Sequence, residues 1–427
     1  MITDQRKNIG TLAYQWLMDG LYFAVRIFNL FAAKASLSER LGFYPPEAIQ
    51  ELTAGSSVWI HAASAGEVNA ITPFCQAFRE ARPQARLILT ITSETGKKMA
   101  LEKAIAHFVF LAPLDMTRPL RRAFQTFRPA LILVAETEFW PNWLFRAVHN
   151  RVPVLLINGR ISNKSFPAYR RLRFLFGPAL RCFQECLVQT DGDRDKLLRL
   201  DFPERRVQVV GQMKYDLTAP DAKKAEDWGK GLRFKPVDPI VVFGSLREGE
   251  DDQVIPIIPG LLTRFPNLKI ILAPRHVKNA EVFRKKLSDL QVPSALRSQA
   301  PGAPVERVLV MDTVGELSLA YQLSKAAFVG GTLVPVGGHN VMEPALSGVP
   351  ILFGPHVQNV QEAAEALVKS QGGFQVQKAE ELVPLIERFL DKSESQAAGR
   401  KALQAVMELR GATAKNLKAV LAYMPKL

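Results

Sequence analysis

The chain has 427 residues, of which 48% are hydrophobic and 22% charged, and these proportions exclude a disordered, collagen-like or low-complexity protein. At roughly 150 residues per domain, the length predicts two domains, each able to bury a core. The net charge of +14 favours an anionic partner: nucleic acid, an anionic membrane surface or a phosphorylated substrate. The three cysteines (Cys75, Cys182, Cys186) lack C-x-x-C spacing, which argues against a disulfide framework or zinc site and indicates a reducing cytosol.

The N-terminal segment predicts an amphipathic helix. Residues 12–33 are apolar except for Gly20 and four polar residues that fall, at about 100° per residue, within a sector of roughly 80°. Those four are Gln15, Asp19, Arg26 and Asn29. The remaining face is broad, apolar and carries Trp16, Phe23, Phe28 and Phe31. This pattern predicts a helix lying in a bilayer surface, the alternative being a helix packed on the body of the protein. A cleaved signal peptide is not expected, because the segment contains charges and no small-residue cleavage site follows it.

The rest of the chain alternates short Val-, Ile- and Leu-rich runs with segments of helical periodicity. Ten such runs predict buried parallel strands: residues 58–61, 86–92, 130–135, 152–158, 186–190, 240–243, 268–273, 307–311, 326–329 and 351–353. The pattern pauses between residues 214 and 239, where prolines and a charged run interrupt it. We therefore predict two doubly wound α/β domains joined near residues 215–235, with the carboxyl ends of their strands on a common cleft that binds ligands.

The first predicted strand leads directly into a candidate catalytic carboxylate. Residues 58–61 run into the segment 62–67, and Glu67 then falls in the first turn of a helix. The helix dipole lowers the pKa of a carboxylate there, whereas an apolar wall would raise it toward the range useful to a general base. A carboxylate that only complements the helix dipole is the alternative. Gly66 lets a substrate approach the backbone.

Two further polar regions follow in the first domain. Glu136 and Glu138 come directly after the strand at 130–135, and one of them is expected to cap the helix that Pro141 opens. The segment 164–184 contains five basic residues, no acid and interleaved aromatic residues. This segment predicts a basic and aromatic face for phosphates at a lipid surface or on a nucleic acid backbone, with a solvated helix face as the alternative.

The second domain carries a candidate anion site. The turn 244–247 places a cation after its first strand, and Arg275 follows the next one. The glycine run 337–338 precedes a helix, where backbone N–H groups can bind a phosphate and Glu343 can hold ribose hydroxyls. The sequence contains neither G-x-G-x-x-G nor G-x-x-x-x-G-K-[ST], and its six histidines show no metal-binding spacing.

Taken together, these residues resemble the Kdo transferases of lipopolysaccharide biosynthesis, which have the two-domain GT-B glycosyltransferase fold. Seven motifs carry the resemblance in the family's order: WIHAASAGE (59–67), ETEFWPN (136–142), NGRIS (158–162), GQMKYD (211–216), APRH (273–276), GEL (315–317) and GGHN (337–340) with EP (343–344). The resemblance implies transfer of 3-deoxy-D-manno-octulosonic acid (Kdo) from CMP-Kdo to the lipid A precursor lipid IVA. It further implies inversion at the anomeric carbon, no cofactor, no metal and no nucleic-acid partner.

The resemblance also assigns roles to individual residues. It implies that Glu67 is the general base and that Glu136 and Lys214 support the transition state. It places the CMP site at Pro274, Arg275, Gly315, Glu316, Leu317, Asn340, Val341, Met342 and Glu343. The implied organisation is a membrane-associated helix over 1–34, an acceptor domain over 35–217 and a donor domain over 218–427, whose last helices can pack back on the acceptor domain. The implied location is the cytoplasmic side of the inner membrane of a Gram-negative bacterium, on an anionic surface.

Two alternatives from other classes remain open from the residues alone. A GT-B-like nucleotide-sugar epimerase would share the fold and the phosphate loop, but it would need neither a lipid-surface helix nor a basic and aromatic face. A non-catalytic basic protein bound to a membrane would explain the charge, but not the glycine run, Glu67 or the paired acids.

Overall fold

The structure is a computed structural model that describes residues 8–32, 35–53, 57–216, 221–232, 234, 237–299 and 307–424. It divides into two compact units. Unit 1 comprises Met1–Asp216 and Arg410–Leu427, and unit 2 comprises Leu217–Leu409. Each unit is built around one seven-stranded parallel sheet.

The sheet of unit 1 has the strand order β3-β2-β1-β4-β5-β6-β7. Its strands are β1 Ser57–Ala62, β2 Arg86–Ile91, β3 Phe108–Leu111, β4 Pro129–Ala135, β5 Val154–Gly159, β6 Glu185–Val188 and β7 Val207–Val209. Its helices are α1 Ile9–Ala32, α2 Ala35–Arg40, α3 Pro46–Thr53, α4 Ala65–Ala81, α5 Glu94–Glu102, α6 Thr117–Phe127, α7 Pro141–His149, α8 Phe166–Arg171, α9 Arg173–Leu180 and α10 Asp191–Leu198, joined late in the chain by α20 Ala412–Ala422.

The sheet of unit 2 has the order β10-β11-β9-β8-β12-β13-β14. Its strands are β8 Ile240–Leu246, β9 Lys269–Pro274, β10 Ser294–Leu296, β11 Val308–Val310, β12 Ala326–Val329, β13 Ile351–Phe353 and β14 Gly373–Gln375. Its helices are α11 Ala222–Gly231, α12 Asp251–Val254, α13 Ile258–Arg264, α14 Ala280–Asp289, α15 Leu317–Leu323, α16 Met342–Leu346, α17 Gln361–Ser370, α18 Leu382–Leu390 and α19 Lys392–Glu408.

Both sheets are doubly wound, as the sequence predicts, because apolar side chains cover both of their faces. Along β1, Val58 and Ile60 belong to one buried cluster while Trp59 belongs to another on the opposite face. Pairing is parallel throughout, and β1 pairs with both β2 and β4. In each unit the strand order reverses beside the first strand, which is where open α/β sheets bind ligands.

All ten predicted strands are present, and the four that the sequence analysis missed are β3, β7, β10 and β14. Each of these four lies at an edge of its sheet. Three of them have only three residues and are partly exposed. A strand that is not buried on both faces does not need the continuous apolar run by which the others were found.

The polar side chains of helix α1 face the rest of unit 1. Asp19 accepts hydrogen bonds from the backbone N–H and the hydroxyl of Thr117, at 2.8 and 2.7 Å, and the hydroxyl of Tyr14 donates to Asp115 Oδ2 at 3.0 Å. The predicted apolar face points outward, with Trp16, Phe23 and Phe28 exposed by 79%, 55% and 60%; the side chain of Phe31 lies outside the described residues. Among the described residues, no helix has the length and apolar character needed to cross a membrane.

The basic segment 164–184 differs from its prediction. Phe166, Tyr169 and Phe176 pack against the core of unit 1 and so do not form an exposed aromatic face. Phe174 is 53% exposed, and its ring lies directly over Gly10 of α1. What this segment presents beside α1 is therefore one aromatic ring with exposed basic side chains: Lys164, Arg170, Arg171 and Arg173.

Candidate active site

The carboxylate of Glu67 is fixed at the start of helix α4. Ser64 caps this helix, and its hydroxyl accepts a hydrogen bond from the Glu67 N–H at 3.3 Å. Glu67 Oε2 in turn accepts from the backbone N–H of Ala63 at 2.7 Å. A Cβ on Gly66 would meet only Ser64 Oγ, at 3.6 Å, so the protein leaves open space beside Gly66, the residue before Glu67. This space can admit a substrate.

The pKa of Glu67 lies near neutrality. Its pKa is raised to about 7: burial raises it most, the charges of Glu136 and Glu138 also raise it, and the hydrogen bonds from Ala63 and Ser64 oppose the shift. A pKa near neutrality lets a carboxylate be ionised at physiological pH and still accept a proton readily. Burial and the neighbouring carboxylates thus outweigh the hydrogen bonds from Ala63 and Ser64.

Glu136 follows β4 in a strained backbone conformation. Its φ of +55° lies in the left-handed region, which non-glycine residues rarely adopt. Its N–H donates to the carbonyl of Ile157 at 3.1 Å, which ties the turn to β5. Burial raises the pKa of Glu136, while the positive charges of Arg160 and Lys214 lower it. The structure thus brings Glu67, Glu136 and Lys214 into one electrostatic group.

Asn158 holds the Lys214 segment in place. Its φ of +50° is also left-handed, and its side-chain Oδ1 accepts from the N–H of Met213 at 3.0 Å. Its own N–H donates to Asn416 of α20 at 3.3 Å. Asn158 is buried, so its orientation is determined by these contacts.

His61 and Glu138 are members of this group to which the sequence analysis gave no chemical role. His61 Nε2 lies 3.8 Å from Glu138 Oε2, and Trp140 Nε1 donates to the same carboxylate. Their positions in the WIHAASAGE and ETEFWPN motifs were the available signal.

The predicted capping of α7 by one of the paired glutamates is wrong. Asp115, 27 residues before Asn142, accepts from the N–H groups of Asn142 and Trp143 at 3.1 and 2.7 Å. Glu136 and Glu138 therefore do not cap α7, and both belong to the electrostatic group around Glu67.

In unit 2, several predicted donor-site residues line one pocket. Its volume is about 470 Å³, and it brings the end of β9 together with the turn before α15. Among the predicted residues, Pro274, Arg275, Gly315 and Leu317 line it. Asn340, Val341, Met342 and Glu343 are not part of its lining, although the pKa of Glu343, raised by burial, is lowered by the charge of Arg275.

Glu316 is held by protein groups. Its carboxylate accepts hydrogen bonds from Trp228 Nε1 and Arg297 Nη2, both at 2.8 Å, and from the hydroxyl of Thr313 at 2.5 Å. The side chain therefore fixes the turn at Gly315, where φ is +90°.

Two backbone N–H groups of the predicted phosphate loop have partners within the protein. The N–H groups of Gly338 and His339 donate to the carbonyls of Gly331 and Gly330, at 2.7 and 3.2 Å, and so are already bonded within the protein. Asn340 Oδ1 accepts from the N–H of Met342 at 3.0 Å. The expectation that this run offers its amides to a phosphate is thus wrong for residues 338 and 339.

A second cation accompanies Arg275. Arg247 Nε donates to His339 Nε2 at 3.0 Å, and its Nη1 lies 3.4 Å from His276 Nε2. Burial, together with the charges of Arg247, Arg275 and His276, lowers the pKa of His339 to about 4, so its ring is a neutral acceptor at pH 7. No described carboxylate forms an ion pair with Arg247 or Arg275, and the partners of Arg247 are histidines, so the positive charge of both side chains is available to an anion.

A buried carboxylate organises the turns beneath these cations. Glu250 is fully buried and accepts backbone hydrogen bonds from Arg247, Gly331, Thr332 and Leu333 at 2.6 to 2.9 Å. These partners lie as far as 83 residues away in sequence. Among the described residues there is no cluster of three or more His, Cys, Asp or Glu side chains suited to a metal ion.

The fold is shared with solved structures of low sequence identity. A glycosyltransferase from Rickettsia africae superimposes with a TM-score of 0.56 over 86% of this chain and 98% of its own, at 13% identity. A UDP-GlcNAc 2-epimerase from Neisseria meningitidis gives 0.56 over 86% and 99%, at 12% identity. Two parallel-sheet domains of this type define the GT-B class, and the predicted fold class is confirmed.

Sequence similarity identifies the family within that class. Residues 35–217 match the family model of 3-deoxy-D-manno-octulosonic-acid transferases. The chain is 30% identical to the 3-deoxy-D-manno-octulosonic acid transferase of Chlamydia pneumoniae over 91% of its length and 86% of the relative's. It is also 30% identical to that of Haemophilus influenzae over 91% and 92%. The chain belongs to the Kdo transferase family, and the epimerase alternative shares only the fold.

Proposed function

We propose that the protein is an inverting glycosyltransferase that moves Kdo from CMP-Kdo to lipid IVA, with Glu67 as the general base. The observation that carries the proposal is the Glu67 carboxylate, which accepts a hydrogen bond from Ala63, belongs to the residue after the unobstructed Gly66 and has a pKa raised to about 7. Family membership supports the sugar and the class of reaction.

The proposed step transfers one proton, forms one bond and breaks another. A glucosamine hydroxyl of the acceptor attacks the anomeric carbon of Kdo from the face opposite CMP. The bond between that carbon and the CMP phosphate oxygen breaks, and its electron pair leaves with CMP. Glu67 takes the hydroxyl proton, and the product has inverted configuration. Glu136 and Lys214 contribute charge near the reaction, because the charge of Glu136 raises the pKa of Glu67 and the charge of Lys214 lowers the pKa of Glu136.

The donor site in the proposal lies on unit 2. Arg275 and Arg247 supply positive charge for the phosphate and the acidic sugar, and a planar guanidinium can bind such anions through two hydrogen bonds. The pocket lined by Pro274, Gly315 and Leu317 would hold the nucleoside. Charge stabilisation by these groups favours the departure of CMP.

The same proposal places the protein on the cytoplasmic face of the inner membrane of a Gram-negative bacterium. Helix α1 packs on the rest of unit 1 through its polar side and exposes its apolar side. An ordinary surface helix does the opposite and buries its apolar side. The exposed basic side chains of the segment 164–184 adjoin this face, because α9 packs against α1 through Phe174. Anionic lipid would bind such a surface.

Transfer can be tested with the full chain, CMP-Kdo and lipid IVA. We expect CMP release that depends on lipid IVA, together with a product heavier by Kdo in mass spectrometry and of inverted anomeric configuration by NMR. CMP release that is independent of the acceptor, or no release at all, would contradict the proposal. A mixture without lipid IVA is the matched control.

A further inference from the structure

Unit 1 contains an apolar pocket that the reaction described above does not use. Its volume is about 230 Å³, more than the roughly 150 Å³ of an engineered apolar cavity that binds benzene. Its lining is mainly apolar and includes three tryptophans, with four polar residues among them: Trp59, Trp140, Trp143, Met18, Ala112, Pro113, Leu114 and Leu120, with Arg40, His61, Thr92 and Asp115. Such a lining indicates a ligand that is largely hydrocarbon.

Two buried nitrogen atoms of the lining have no hydrogen-bond partner among the residues that the structure describes. They are His61 Nε2 and Trp143 Nε1, on side chains from residues that are only 3% and 4% exposed. Buried polar atoms are nearly always bonded, so each such atom requires an explanation. An oxygen on an otherwise apolar ligand would provide a partner for the Trp143 N–H, and for His61 when Nε2 carries the proton.

The pocket lies between two features of unit 1. On one side Met18 of α1 lines it, and the outer face of this helix is the exposed apolar surface. On the other side His61 and Trp140 line it, and both contact the carboxylate of Glu138, whose charge raises the pKa of Glu67. A chain that occupies this pocket would thus have one end near the carboxylate of Glu138.

We propose that this pocket binds one acyl chain of the lipid acceptor, with an oxygen of that chain at His61 and Trp143. The inference rests on the proposed function. It names the acyl chain as the part of the acceptor that this pocket recognises. Burying a methylene is worth about a fourfold gain in affinity, so a chain seated here would dominate recognition of the lipid. The pocket therefore discriminates between acylated and deacylated acceptors.

Binding can be measured without turnover by tryptophan quenching. A Trp16→Phe background removes the tryptophan on the exposed face of α1, and the probe is a phosphorylated glucosamine disaccharide that carries brominated acyl chains. We expect saturable quenching that is lost when Ala112→Phe fills the pocket and kept in the control Ala81→Phe, an exposed alanine of α4. Equal quenching in both variants would overturn the proposal. Stronger quenching by brominated phosphatidylcholine vesicles would identify a site for bulk lipid and would also overturn it.

Steady-state kinetics give a second, independent readout. For Ala112→Phe we expect the KM for lipid IVA to rise about tenfold or more, while the KM for the deacylated disaccharide stays unchanged. Equal losses with both acceptors would contradict an acyl site. Ala112→Val, a smaller change, should give an intermediate rise and covers the case that the Phe variant does not fold. If the wild-type chain transfers to neither acceptor, the proposed function fails, whereas the quenching result still decides whether the pocket binds an acyl chain.

Discussion

Glu67 Oε2 accepts a 2.7 Å hydrogen bond from the N–H of Ala63, the first residue after β1 and two positions before helix α4. This contact fixes one oxygen of the carboxylate and favours its ionised form. Burial and the neighbouring carboxylates outweigh it, so the pKa of Glu67 is raised to about 7. The protein thus holds this carboxylate in a fixed position and keeps it able to accept a proton near neutral pH.

The pH dependence of kcat/KM should report this pKa. A base must be deprotonated, so we expect activity to rise with pH through about 7 and to fall away below it. In Glu138→Gln one repelling charge is lost, the pKa of Glu67 falls, and the acidic limb should move to lower pH by up to about one unit. Glu80→Gln, an exposed site on the same helix, should leave the profile unchanged. An acidic limb that moves to higher pH in Glu138→Gln would refute this assignment.

Arg275 should determine donor affinity. Arg275→Ala should weaken binding of CMP in calorimetry by about tenfold or more, and Arg275→Lys should restore only part of it, since an ammonium cannot form the paired contacts of a guanidinium. The control is Arg284→Ala, on the exposed side of α14, where the guanidinium only pairs with Glu281. Unchanged CMP affinity in Arg275→Ala would place the phosphate elsewhere.

Glu250 should be a determinant of stability. Glu250→Gln removes a charge that accepts four backbone hydrogen bonds in a fully buried site, and it turns an amide toward N–H groups. The free energy of unfolding should fall by about 3 kcal/mol or more, visible as a lower Tm in thermal denaturation. The adjacent and exposed Glu248→Gln should behave as wild type. Equal Tm values for the two variants would exclude this role.

The outward face of α1 should carry membrane binding. Trp16, Phe23 and Phe28 changed together to Ser should lower retention on vesicles of anionic lipid in flotation, while the Tm stays near that of wild type, because these side chains are largely exposed. The residual binding should fall further as salt is added, since the basic residues of the segment 164–184 are screened.

The matched control for this face uses three apolar residues that are exposed elsewhere in the chain. They are Leu101, Val282 and Met407, each changed to Ser. This variant should float with the vesicles as wild type does. Full retention of the α1 variant at high salt would show that the helix does not bind the membrane.

The sequence predicted the parts of this molecule that depend on local pattern. Central strands were found because burial on both faces requires an apolar run, and Glu67 was found because it follows such a run at a helix start. Edge strands such as β7 and β14 were not predicted, because their exposed residues interrupt the apolar run.

Contacts between distant residues could not be predicted in this way. Asp115 caps a helix 27 residues later, and Glu250 occupies the amides of residues 331–333. The glycine run was therefore read as a phosphate loop, although its amides at 338 and 339 are bonded to carbonyls that only the fold brings near. The seven motifs named the family, but not these internal contacts.

The most direct test of the account is the turnover of Glu67→Gln measured beside its affinity for CMP-Kdo. The amide keeps the shape of the carboxylate and cannot accept the proton, so acceptor-dependent CMP release should fall by about 100-fold or more. Donor binding in calorimetry should match that of wild type, because Glu67 lies in unit 1 and the proposed donor site in unit 2. Turnover near the wild-type rate, with the protein folded and the donor bound, would show that Glu67 is not the base.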